Sequence, residues 1–128
     1  MKTIRNHDEA LQLFEECSIK QAEATETGNY KEGNKNYDII IACILYLYKC
    51  QQLKLLNPFL DHQNVGVRQW AAFALLTIEQ RKAENTLKEI MNGHNGIHCG
   101  NAKITMREWK RGNLKFPWEW TTEISGSK

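Results

Sequence analysis

The chain has 128 residues, of which 41% are hydrophobic and 25% charged, and a formal net charge of +2. That length suits one domain around a single core, and the composition is that of an ordinary globular protein. A charge so near zero gives no ground by itself for a nucleic-acid or membrane partner.

The first helix is predicted to start near Asn6, a capping residue with Glu9 three positions on. Ala10, Leu13, Phe14, Cys17, Gln21 and Ala24 form one side, and Glu15, Glu16, Glu23 and Glu26 form the outer side. Gly28 ends it, since glycine adopts the left-handed conformation at no steric cost, and Asn29 caps the next helix. That second helix runs over 30–50, with Tyr30, Tyr37, Ile40, Ile41, Ile44, Leu47 and Tyr48 as its buried face and a more exposed polar start over 31–38. Gly33 inside it costs about 1 kcal/mol of helix propensity against alanine and is read as a close contact with the first helix.

From Leu53 to Met91 the pattern is helix, turn, helix, turn, helix. Leu53, Leu56, Phe59 and Leu60 share one face, and Pro58 bends or breaks that helix. Asn64 caps the following helix, in which Val67, Trp70, Ala71, Ala74, Leu75 and Ile78 recur at helical spacing; Trp70 and Phe73 supply bulk. A further helix over 83–92 carries Ala83, Leu87, Ile90 and Met91. Residues 93–96 form a loop, 97–100 carry no clear pattern, and a last helix over 102–111 stops at Gly112. Pro117 disfavours helix at Phe116, so 114–120 is expected to be extended, with its aromatic rings folded back over the open end of the stack. Residues 125–128 are expected to be disordered.

The residues Leu55, Leu56, Pro58, Leu60, Asp61, Asn64, Val67, Arg68, Ala71, Ala72 and Leu75 follow an order similar to a HEAT repeat. The resemblance covers about a third of the chain, and it implies that Asp61 and Arg68 are structural groups hydrogen-bonded near the turns between repeats. The wider chain, with Met106, Trp109, Lys110 and Gly112 near its end, resembles a small bacterial family of HEAT-like domains with no assigned function. The expected fold is all-α: a short HEAT-like solenoid of antiparallel helix pairs with about six helices in one domain, 1–128. The first helix pair would occupy 5–50, the HEAT-like repeat 52–79, and a partial repeat with a C-terminal cap 82–120.

Candidate sites are few. His94, His98 and Cys99 are the most metal-like cluster, since histidines four apart can chelate zinc on a helix and a cysteine can add a third ligand. Gly93 and Gly96 argue against a helix there and no second ligand pair is evident, so a polar loop is the preferred reading and no metal or other cofactor is expected. Cys99 beside His98 lacks the geometry of an activated nucleophile, and no serine-hydrolase, phosphate-loop or zinc-protease motif is present.

Lys103, Arg107, Lys110, Arg111 and Lys115 stand against one acidic residue, Glu108, and Trp109, Phe116, Trp118 and Trp120 lie close by. Such a strip can hold a phosphate backbone and stack bases, although the solvated side of a helix looks the same. Over the first 38 residues acidic side chains outnumber basic ones, eight against five, which suits a basic partner or plain solubility. Glu15, Glu16, Glu23, Glu26, Lys103, Arg107, Lys110 and Arg111 are therefore the candidate binding surface.

No apolar leader follows Met1, and the longest apolar run, 39–48, is shorter than the about 20 residues a spanning helix needs. A cytoplasmic location is expected, with the four cysteines reduced. The expected function is that of a non-enzymatic protein-binding module, in its most concrete form a bacterial immunity protein that neutralises a toxin domain. Nucleic-acid binding through 103–115 is the alternative.

Overall fold

The structure is a computed structural model that describes residues 4–93 and 96–120. Among these the fold is all-helical, and no described residue lies in a strand. The elements are α1 (His7–Thr27), α2 (Tyr30–Lys49), a 3-10 segment (Leu53–Asp61), α3 (Val65–Leu75), α4 (Gln80–Gly93) and α5 (Ile97–Lys110), followed by one helical turn over 117–120. No helix of the described residues is long and apolar enough to cross a membrane.

The boundaries follow local chemistry. Asn6 accepts a hydrogen bond from the Glu9 N–H (2.8 Å), while the Glu9 carboxylate accepts from the Arg5 N–H (2.9 Å), so two donors at the start of α1 are satisfied by one pair of side chains. Gly28 takes φ 78° and its N–H, like that of Asn29, donates to the Ala24 carbonyl. Asn29 in turn accepts from Glu32 N–H, so helix, turn and helix are specified within three residues. Asn64 caps α3 by accepting from Gly66 and Val67.

Pro58 lies inside the 3-10 segment. It has no N–H to give to a regular α-helical ladder, and the tighter winding suits a short stretch of this kind. α2 ends at Lys49, and two residues on Gln51, a non-glycine residue, takes φ 58°; the Gln52 N–H reaches the Leu47 carbonyl at 2.7 Å and closes the helix without a glycine.

Packing places these elements in two layers. α1 rests on α3, and α3 on α5; α2 touches the 3-10 segment, which touches α4; and α1 on α2, the 3-10 segment on α3, α3 on α4 and α4 on α5 hold the layers together. The core between them includes Phe14, Ile44, Leu56, Leu75, Leu87 and Ile90, all fully buried. α1 and α3 approach closely at Gly66. A Cβ there would lie 2.6 Å from the Ala22 Cβ and 2.8 Å from the Ser18 backbone oxygen, so only glycine lets α1 and α3 meet as they do. Gly33 also faces α1, but its contact is looser: a Cβ would stand 3.6 Å from Ala24 Cβ, an ordinary van der Waals distance.

Several expectations need correction. Tyr30 is 80% exposed and Tyr48 41% exposed, so the buried face of α2 is narrower than predicted. Asn36, expected among the exposed start, is buried, and its side-chain amide donates to the Glu32 carbonyl and carboxylate. α3 stops at Leu75 and leaves Ile78 46% exposed in the following turn.

α5 begins at Ile97, five residues before the predicted start, because His98 continues the buried face of Ala102 and Met106. The segment 114–120 is not wholly extended. Pro117 occupies the first position of a helical turn, where its missing N–H costs nothing, and the Phe116 N–H donates to the Glu119 carboxylate (2.8 Å). The expectation for 125–128 falls outside the described residues.

The rings of the C-terminal segment fold back onto the stack. Phe116 stacks on Phe73 (5.2 Å between centroids), and Trp118 stacks on Phe116 (5.0 Å) and on Tyr48 (4.2 Å). Phe116 and Pro117 are buried by this arrangement.

Candidate functional site

α1, α3 and α5 lie side by side and leave a groove of about 290 Å³ between them, which residues of the C-terminal segment also line. Its apolar lining comes from Trp70 and Phe73 of α3, Ile104 of α5, and Leu114 and Trp120. Its polar lining is mostly uncharged: Gln21 and Thr25 of α1, Gln69 of α3, Asn101 and Thr105 of α5, with Lys115 the one lysine on the wall.

The helical spacing of Trp70 with Ala71, Ala74 and Leu75 points it toward the core. Trp70 is instead half-buried on this wall, its indole N–H donating to Gln21 Oε1 (3.3 Å) and its ring set edge-on to Tyr37 and Phe73. Gly66 lies at the base, so the close approach of α1 and α3 also fixes the width of the groove. Ile104 stands 50% exposed at the rim.

His98 links the groove to α1. Its side chain is 10% exposed, and its Nε2 lies 2.7 Å from a Glu26 carboxylate oxygen. A second pair ties the other half of α1 to the turn before α3: His62 Nε2 lies 2.7 Å from Glu15 Oε2, while His62 Nδ1 accepts the Asn64 N–H (2.9 Å). Because Nδ1 accepts, Nε2 carries the hydrogen and donates to Glu15. Glu15 and Glu26, predicted as members of a free acidic surface, are thus partners of histidines brought from 47 and 72 residues away.

Glu16 and Glu23 are exposed, and Glu16 accepts from Gln12 (3.1 Å). The remaining site residues separate. Arg68 donates to the His62 and Gln63 carbonyls (3.0 and 3.2 Å), clasping the turn before α3. Asp61 is exposed.

Lys103, Arg107, Lys110 and Arg111 are exposed on α5 and just past its end, and Arg107 lies 3.5 Å from Glu108. Of the four rings near them, Trp120 lines the groove and the other three are engaged in protein contacts. Trp109 donates to Glu84 (2.8 Å) and meets Phe116 edge-on, and Trp118 stacks with both Tyr48 and Phe116. Hydrogen bonds from Gln80 and Trp109, with Lys88 and Lys110 nearby, hold the Glu84 carboxyl below its usual range.

His94 falls outside the described residues. His98 is committed to Glu26, and the Cys99 thiol donates to the Met91 carbonyl (3.4 Å). No group of three or more His, Cys, Asp and Glu suited to a metal gathers among the described residues.

The fold and groove define a small two-layer helical domain with a polar-edged, aromatic-walled cleft. The chain belongs to the family described as "Domain of unknown function (DUF2019)", whose sequence model matches residues 8–109; the groove residues Leu114, Lys115 and Trp120 lie beyond that match. The fold is similar to the crystal structure of the protein RPA1889 from Rhodopseudomonas palustris CGA009. The TM-score is 0.79 at 20% sequence identity, over 86% of this chain and 93% of that one, and at this identity the likeness is one of fold alone. No curated protein matches the chain.

Proposed function

We propose that the protein is a non-enzymatic binding module that holds an extended stretch of a partner polypeptide in the groove between α1, α3 and α5. The observation that carries this reading is the mixed lining of the groove. A peptide group offers one donor and one acceptor, and the carboxamides of Gln21, Gln69 and Asn101 can answer both. Trp70, Phe73 and Trp120 offer apolar wall area for an anchoring side chain. The volume is at the small end for ligand sites, which suits one or two side chains of a longer partner.

In the wider reading the two layers are a truncated HEAT-like solenoid of a bacterial, cytoplasmic protein, and the partner is a toxin domain that this protein neutralises as its immunity protein. The exposed Glu16 and Glu23 on α1 favour a basic partner surface nearby.

Nucleic-acid binding by 103–115 is the second reading. It has the exposed cations Lys103, Arg107, Lys110 and Arg111 in its favour, and against it that Trp109, Phe116 and Trp118 are occupied by protein contacts.

The test is affinity capture from the native host with mass spectrometry, before and after nuclease, using wild type, Ile104→Glu and the pair Lys110→Glu with Arg111→Glu. The groove reading expects one protein partner that survives nuclease and is lost with Ile104→Glu alone. A partner indifferent to Ile104→Glu overturns the groove. Nucleic acid lost with the Lys110/Arg111 pair establishes the second reading instead, and a toxin domain as the captured partner supports the immunity version.

A further inference from the structure

α2 is the first element of its layer: it packs on α1 and touches the 3-10 segment. On its outer side lies a shallow hollow of about 640 Å³, and every residue lining it, from Lys35 to Leu45, belongs to α2 itself. Its centre is apolar, formed by Ile41, Ala42 and Leu45. A stack of helix pairs leaves such a surface at an end, and an end must be polar or covered.

Two charges bracket the patch. Asp38 precedes it by one turn and Lys49 follows it by one; both are exposed, and neither has an ion-pair partner among the described residues. At 3.6 residues per turn, Leu45 and Lys49 each fall within about 20° of Asp38 around the helix, on either side of it, with Ala42 within about 40° of Asp38.

We propose that a second copy of this chain covers the face, the two α2 helices running antiparallel about a two-fold axis midway between Ala42 and Leu45. The spacing is self-complementary about that point. The small Ala42 of each copy meets the larger Leu45 of the other, and Asp38 of each meets Lys49 of the other, so the axis generates two ion pairs with no like charges opposed at those positions. Tyr48, half exposed on the same flank as Ile41, adds apolar area beside the seam. This isologous arrangement is the commonest way two identical chains associate. One helix pair makes a small interface, so the dimer forms in the micromolar range or weaker.

Sedimentation equilibrium of the full chain over a concentration series tests the proposal. Wild type is expected to dimerise reversibly. Asp38→Lys and Lys49→Asp are each expected to weaken the dimer about tenfold, since each turns two attractions into two repulsions. The exchanged double variant is expected to return to within about threefold of wild type, because the pairs are restored with their signs swapped. Both positions are exposed, and melting curves confirm that each variant folds. A wild type that stays monomeric at millimolar concentration overturns the proposal. So does a dimer indifferent to the single reversals, or one the double variant fails to restore.

Discussion

At Gly66 one added carbon has no room between α1 and α3. Gly66→Ala places a methyl group 2.6 Å from the Ala22 Cβ and 2.8 Å from the Ser18 backbone oxygen, and a backbone atom cannot rotate away. α1 and α3 must separate, and a loss of about 2 kcal/mol is expected in denaturant melts. Gly33→Ala should do the opposite. Its new methyl group finds ordinary contact with Ala24, and a gain of about 1 kcal/mol is expected from helix propensity.

The sequence marks Gly33 readily, as a helix breaker inside a helical pattern, and passes over Gly66, which stands in the first turn of α3 where glycine attracts no notice. Its role becomes visible only once α1 is laid against it. The same holds for Glu15 and Glu26. On one helix they look like a solvated acidic side, and their histidines lie far along the chain, where no local spacing rule reaches.

Among elements, legibility follows range. The caps Asn6, Asn29 and Asn64, the glycine stop at Gly28 and the apolar stripes act within one or two turns, and the helices they mark are found close to where the sequence places them. The start of α5 was hidden because a buried histidine, His98, holds a position where the pattern calls for an apolar residue. The short turn after Pro117 was hidden because proline both forbids helix before itself and favours a new one after.

The α4–α5 contact gives a prediction at this scale. With Gln80 and Trp109 donating to it, Glu84 is more acidic in the folded chain. The stability this contributes is present above the ordinary glutamate range near pH 4.5 and fades as the pH falls through it. Trp109→Phe is expected to cost roughly 1 kcal/mol at neutral pH and to flatten the acid limb of the stability curve, measured by chemical denaturation across pH.

For the molecule as a whole, the buried thiols set an alkaline limit. Burial pushes the Cys43 thiol up to about 12 from 9.0, and Cys17 shifts the same way. An unfolded chain releases the Cys43 proton around pH 9 while the native chain keeps it, so stability falls across the window from 9 to about 12, by at most about 1.4 kcal/mol per pH unit, and Cys17 acts in the same direction. Well below pH 9 both states keep their thiol protons and this pH dependence is absent. Cys43→Ala should shallow that slope, and denaturant melts at rising pH will show whether it does.

The column of rings Tyr48, Trp118, Phe116 and Phe73 joins α2 to α3 through the C-terminal segment. Aromatic chromophores stacked nearly parallel at 4.2 and 5.0 Å couple their electronic transitions, which adds to the near-ultraviolet circular dichroism that each ring gives in its own asymmetric setting. The chain therefore carries its own optical reporter. That band tracks the seating of the last turn on the stack, and it can vanish while the far-ultraviolet helix signal stays whole.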